Sequence, residues 1–137
     1  MTRRDLDLIH DAEKKINLLK LELEALRYKA SGAGGIRYDK DRVQTSPNDY
    51  MTMAIADAIE LEKHINDMEA EIEEKKGEAY AIVRQMKNPD QRAVIEWYYL
   101  NGLSMIDTAN KLSISERTAY YLKEDALTEF TSHEERK

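Results

Sequence analysis

Cysteine is absent from the 137 residues. That excludes disulfides, thiolate metal sites and a cysteine nucleophile, and it fits a reducing compartment. Glycine and proline are scarce, at 5 and 2 residues, and aromatic side chains make up only 7%. A strand-rich fold needs more of each, so the balance favours helix. No apolar run reaches the roughly 18 residues that a membrane-crossing helix requires. The opening "MTRRDLDLIHDAEKK" turns acidic where a secretory signal would be purely apolar. The expectation is a soluble, cytoplasmic protein without membrane contact.

Charge is plentiful, at 35% of residues and a formal net of −6, but it is unevenly spread. Residues 1–47 hold 10 basic and 8 acidic side chains, residues 48–85 hold 4 and 10, and residues 86–137 hold 7 and 9. The acidity therefore sits in the middle of the chain. Contact with phosphate depends on local rather than total charge, so a net acidic chain is not excluded from binding nucleic acid.

From Ile9 the apolar residues run Ile9, Ala12, Ile16, Leu19, Leu23, Leu26, the alternating three-and-four spacing of a coiled-coil-like helix. A second stripe, Leu18, Leu21, Ala25, Tyr28, widens that face toward the helix end. Glycines 32, 34 and 35 then break the periodicity, and Ser46-Pro47-Asn48-Asp49 reads as the next helix start, with Ser46 as cap. The following helix places Met51, Ala54, Ala58, Leu61, Ile65, Met68, Ile72, Ala79, Ile82 and Met86 on seam positions, with Lys75 the one interruption and Gly77 a possible kink. Two long helices joined by the loop at 30–47 should fold back antiparallel. Residues 51–61 are apolar nearly all round, so both widened faces fall at the loop end. A lone hairpin leaves them uncovered, which predicts a homo-oligomer, with a dimer forming a four-helix bundle favoured.

A second break, "KNPDQ", gives Asn88 as cap, Pro89 as first helical residue and a helix to Leu100, closed by Asn101-Gly102. Ser104 caps "SMIDTANKL", Ser113-Ile114 turns the chain, and Ser115 caps a last helix to about Phe130. Expected domains are a helical hairpin at 1–86 with a loop at 30–47, a helix-turn-helix domain at 87–130 and a polar tail at 131–137. The fold class is all-α.

Helix-turn-helix units need a small residue where the helices cross, a turn residue tolerant of unusual backbone angles, and apolar anchors after it. Ala109, Ser113, and the set Ile114, Ala119, Leu122 meet these demands. Glu116, Arg117, Thr118, Tyr120, Tyr121 and Lys123 then face outward beside the cap Ser115, and the first turn is the part that enters a major groove. Arg117 suits a guanine edge. Glu116 suits either a cytosine amino group or the helix dipole. Tyr120 and Tyr121 suit phosphate and thymine methyls unless one packs inward, and Lys123 suits phosphate.

Residues 88–130 resemble region 4 of bacterial sigma factors, the module that recognises the −35 promoter element, in register across the last two helices. That resemblance implies that Glu116, Arg117, Tyr120 and Tyr121 face bases and backbone. Recognition helices of that family are usually more basic than this one. Over nearly its whole length the chain is similar to RinA/ArpU-like activators of late genes in phages and prophages. The long helical start, the loop "GIRYDKDRVQTSPND" and the terminal helix-turn-helix carry that resemblance. It implies a transcription regulator of phage genes that binds double-stranded DNA and contacts RNA polymerase. Arg37, Tyr38, Lys40 and Arg42 form a locally basic loop, a secondary contact with DNA or a partner protein unless it is simply solvated.

Other chemistry is poorly supplied. "WYYLNG" at 97–102 reads as core rather than a stacking platform for single strands. "GAGG" lacks the lysine and hydroxyl of a phosphate-binding loop. Asp57, Glu60 and His64 share one helical face, and a solvated face explains them better than a metal site. No catalytic constellation, metal or cofactor is expected, and the chain is not read as an enzyme. Two other readings remain: a phage terminase small subunit bound to packaging-site DNA, and a coiled-coil protein adaptor of the transcription machinery.

Overall fold

A computed structural model describes residues 1–31 and 47–135, all of whose regular structure is helical. Helix α1 spans Arg3–Ala30, α2 Pro47–Val83, α3 Pro89–Val94, α4 Met105–Leu112 and α5 Glu116–Glu135, with a π-helical segment at Ile95–Leu100 following α3 directly. The all-α class expected from composition holds. None of the described helices is long and apolar enough to cross a membrane. The expected cap Ser46 and the contact loop Arg37, Tyr38, Lys40, Arg42 lie outside the described residues.

Packing divides the chain into two compact units, residues 16–69 and residues 1–15 with 70–137. In the first, α1 and α2 run antiparallel. Lys20 pairs with Glu69 at 2.8 Å and Arg27 with Glu62 at 3.0 Å, so the partners step in opposite directions along the two helices. Ile16, Leu23, Ala54, Ala58 and Ile65 are buried between them, the seam that the spacing predicts. The pairs are half-exposed and fix register more than they stabilise, since such ion pairs contribute about 0–1 kcal/mol each.

The second unit spans the position between residues 86 and 87 where the sequence places a boundary. The ends of both long helices pack with the helix-turn-helix in one compact unit. Leu6 and Ile9 from α1, and Ala79, Ile82, Val83 and Met86 at the end of α2, share one core with Val94, Ile95, Tyr99, Leu100, Ala126, Leu127 and Phe130. Burial of the Tyr99 ring pushes its phenol well above the usual range. Glu13 also comes to lie on the buried face of α1, where Lys76 pairs with it at 2.7 Å.

Local signals explain where the elements start and stop. Thr2 and Asp5 cap α1 reciprocally. The Thr2 amide donates to Asp5 Oδ2 at 2.8 Å and the Asp5 amide donates to Thr2 Oγ1 at 3.4 Å. That backbone bond, ahead of other causes, holds the Asp5 carboxyl below its usual range. Helix α2 passes through Gly77 unbroken and ends at Val83, short of Met86. Its last turn tightens as the Gln85 and Met86 amides donate to Ile82 and Val83. Asn88 caps α3 through bonds from the Asp90 and Gln91 amides, with Pro89 first in the helix, as the sequence predicts. Helix α5 continues past Phe130 to Glu135, into the expected tail. No breaker intervenes, and Thr131 Oγ1 donates to the Leu127 carbonyl at 3.0 Å.

The π-helical segment sets how α1 docks. Its wider turn carries the Asn101 amide to Glu96 O at 2.9 Å, and His10 Nδ1 donates to Tyr98 O at 2.6 Å while its ring stacks on Tyr98 at 4.0 Å. Gly102, at φ +71°, closes the segment. A Cβ there would stand 2.7 Å from Glu13 Cβ and from the Lys14 amide nitrogen. Only glycine meets both conditions.

Two outcomes follow from this shared core. A fragment of residues 87–137 should show little helix by circular dichroism and no cooperative melt, while the full chain melts cooperatively. Gly102→Ala should cost about 2 kcal/mol or more in denaturant unfolding, from positive φ and backbone clash together.

Candidate nucleic-acid interface

Helix α4 starts where Ser104 Oγ accepts from the Asp107 amide at 3.1 Å, and Thr108 Oγ1 donates back to the Ser104 carbonyl at 2.8 Å. It ends on Ser113, which lies in the left-handed region at φ 57°, ψ 41°. The Ser113 amide donates to Asn110 O at 3.2 Å and the Ile114 amide to Ala109 O at 3.0 Å, the paired bonds of a Schellman ending. The next helix then starts at once. Ser115 Oγ accepts from the Thr118 amide at 3.1 Å and donates to Thr118 Oγ1 at 2.8 Å.

Ala109 and Ala119 are buried at the crossing of α4 and α5, together with Met105, and Tyr98 and Ile114 pack against them. Small side chains on both helices let the backbones approach. Ala109, Ser113 and Ala119 thus do what the motif assigns to them, whereas Ile114 and Leu122 are half-buried.

That packing turns Glu116, Arg117, Thr118, Tyr120 and Tyr121 to solvent, with Tyr120 and Tyr121 at 48% and 61% exposure. The Arg117 guanidinium lies 5.8 Å from the Tyr121 ring, and its Nη2 is 3.5 Å from the Tyr121 hydroxyl. This i, i+4 pair holds a fork of donors out from the first two turns of α5.

Lys123 departs from expectation. Its side chain is only 12% exposed, with Nζ 5.2 Å from the Tyr98 ring, 5.4 Å from the Tyr120 ring and 4.0 Å from Glu124 Oε1. Position 123 follows buried Ala119 by one helical turn, so the ammonium is drawn against aromatic faces instead of pointing outward.

The structure also places an α1 residue at this helix. Arg3 Nη2 lies 3.3 Å from Glu124 Oε1 and Nη1 lies 3.5 Å from Oε2. Sequence periodicity could not supply that pair, because 121 residues separate the partners. Lys111 Nζ stands 5.2 Å from the Trp97 ring, while Tyr99 and Leu100 are buried, so "WYYL" serves mainly as core.

Elsewhere, Asp57, Glu60 and His64 line an open groove with Glu22, Leu26 and Leu61. Among the described residues no three His, Asp or Glu side chains converge as a metal site would require.

Replacing Ser113 with glycine should leave the helices in place and raise stability by about 0.5–1 kcal/mol, since a left-handed residue loses its Cβ strain. Thermal and urea melts of Ser113→Gly would read this directly.

No curated protein and no solved structure matches the chain. A family model described as "Protein of unknown function (DUF1492)" matches residues 29–131, which include all of α2 and α4 and most of α5. The match covers well over half of the sequence, and the chain belongs to that family.

Proposed function

We propose that this chain is a sequence-specific regulator of transcription that binds duplex DNA through α4 and α5. The observation carrying the reading is the face of α5 itself. Glu116, Arg117, Thr118, Tyr120 and Tyr121 are turned to solvent from a helix whose opposite side is locked by the Ala109–Ala119 crossing and the Ser113 turn. A helix held this rigidly presents its first two turns to a major groove without reorganising. Arg117 reads a guanine edge in this account, a contact worth about 1–3 kcal/mol of discrimination. Ser115 and the tyrosine hydroxyls take phosphate or base edges. The resemblance to sigma region 4 and to phage late-gene activators supports promoter DNA as the target and RNA polymerase as a partner.

Uncovered apolar surface supports self-association as a dimer. Leu18, Leu21 and Tyr28 are 58–63% exposed on α1, in a three-and-four spacing completed by exposed Ala25, and Met53, Ile55 and Ile59 are exposed on α2. Burying a leucine or isoleucine side chain contributes about 1.5–3 kcal/mol, so a second copy packed on this stripe outweighs the loss of freedom on pairing.

Selection of bound fragments from a library of host and prophage DNA, with wild type beside Arg117→Ala, tests the reading. Enrichment of one upstream region by wild type, lost in the variant, is expected. No enrichment even at low salt would overturn DNA reading and favour a protein adaptor. Mass measurement in solution should give two chains; a ring of eight or more would favour a packaging subunit.

A further inference from the structure

Glu124 poses a problem for the proposed interface. It follows Glu116, Arg117, Tyr120 and Tyr121 by eight, seven, four and three residues, so it shares their face of α5. A half-exposed carboxylate one turn beyond Tyr120 and Tyr121 stands where a phosphate backbone passes, and it would repel that backbone. Arg3 meets this carboxylate with both terminal nitrogens, at 3.3 and 3.5 Å, yet its side chain remains 56% exposed.

We propose that Arg3 extends the DNA-binding face from α5 onto α1 and contacts a backbone phosphate beside the groove that α5 enters. This rests on the DNA-binding reading above. Three features carry it. A guanidinium has five N–H donors, and two long, loose bonds to Glu124 leave donors to span carboxylate and phosphate together. The start of α1 is anchored, because Leu6 and Ile9, one and two turns on, are fully buried in the shared core and Thr2 caps the helix with Asp5. The Arg3 backbone is therefore held in place before DNA arrives, so only side-chain freedom is lost on contact. Finally, Lys123, the cation next to Glu124 on α5, is tucked against Tyr98 and Tyr120. That leaves Arg3 as the exposed positive charge at Glu124.

A phosphate contact carries no base information, so its loss should weaken binding to every duplex alike. The test is the affinity of the full chain for a random-sequence duplex across a salt series, for wild type, Arg3→Ala, Arg3→Lys and the double variant Arg3→Ala with Glu124→Gln. The pair is exposed, so the variants should melt with wild type. Arg3→Ala should lower affinity roughly fivefold to tenfold near 0.1 M salt and make the log–log salt slope shallower by about 0.9. Arg3→Lys should keep most of the slope. The double variant should keep the shallow slope of Arg3→Ala, since neutralising Glu124 does not replace a missing phosphate contact. An unchanged slope in Arg3→Ala would overturn the proposal. So would a double variant with wild-type slope, which would reduce Arg3 to a neutraliser of Glu124. A wild-type chain that binds no duplex would overturn the DNA reading as well, and the wild-type titration separates that outcome from the other two.

Discussion

The core that joins both ends of the helical hairpin to the helix-turn-helix is the constraint on which the rest of the second unit depends. Tyr99, Leu100 and Phe130 are buried in one core with Leu6 and Ile9 from one long helix and Ile82, Val83 and Met86 from the end of the other. Without those neighbours the three short C-terminal helices would expose their largest apolar side chains. Polar contacts then choose one geometry for this core. The π-helical turn frees the Tyr98 carbonyl for His10, and Gly102 lets the chain pass within van der Waals reach of Glu13 and Lys14. Hydrophobic burial supplies most of the stability, and these few contacts supply register.

The same core bears on how an acidic protein could read DNA. The acidic side chains are concentrated in residues 48–85, whereas the outward face at the start of α5 carries Arg117 with Tyr120 and Tyr121. Burial elsewhere sets what that face offers. Lys123 is drawn inward against aromatic rings, and the negative charge of Glu124 is met by Arg3 from α1. In the proposed reading, few phosphate contacts and a short row of readers give modest nonspecific affinity with a shallow salt dependence, so discrimination rests on base-edge contacts more than on bulk charge.

Much of this architecture was legible in residue order because it is encoded locally. Asn88-Pro89, Ser104 with Asp107, and the Ser113 turn are written within a few residues of where they act, and each forms the bond that its chemistry predicts. Seam spacing gave Ile9, Ile16, Leu23, Ala54, Ala58 and Ile65 as buried. What escaped is long-range. The place of Leu6 and Ile9 in the core of the second unit joins residues seventy or more positions from Ala79 and everything after it, which no period reveals. Lys123 escaped for a related reason. Its spacing alone leaves it outward, and Tyr98, on another element, joins Tyr120 in drawing the ammonium inward. Arg3 sat before the first apolar stripe, where periodicity carries no signal, although the Thr2–Asp5 capping pair could have marked the helix start.

Native-state amide hydrogen exchange on the full chain tests most directly whether the hairpin ends and the helix-turn-helix form one body. The account predicts that the slowest amides around Leu6–Glu13, Ala79–Val83, Ile95–Leu100 and Ala119–Phe130 open together, with one shared free energy and one denaturant dependence. Exchange around Leu6–Glu13 through a lower-energy opening, while Ala119–Phe130 stays protected, would contradict it. The C-terminal helices would then hold their core without the hairpin.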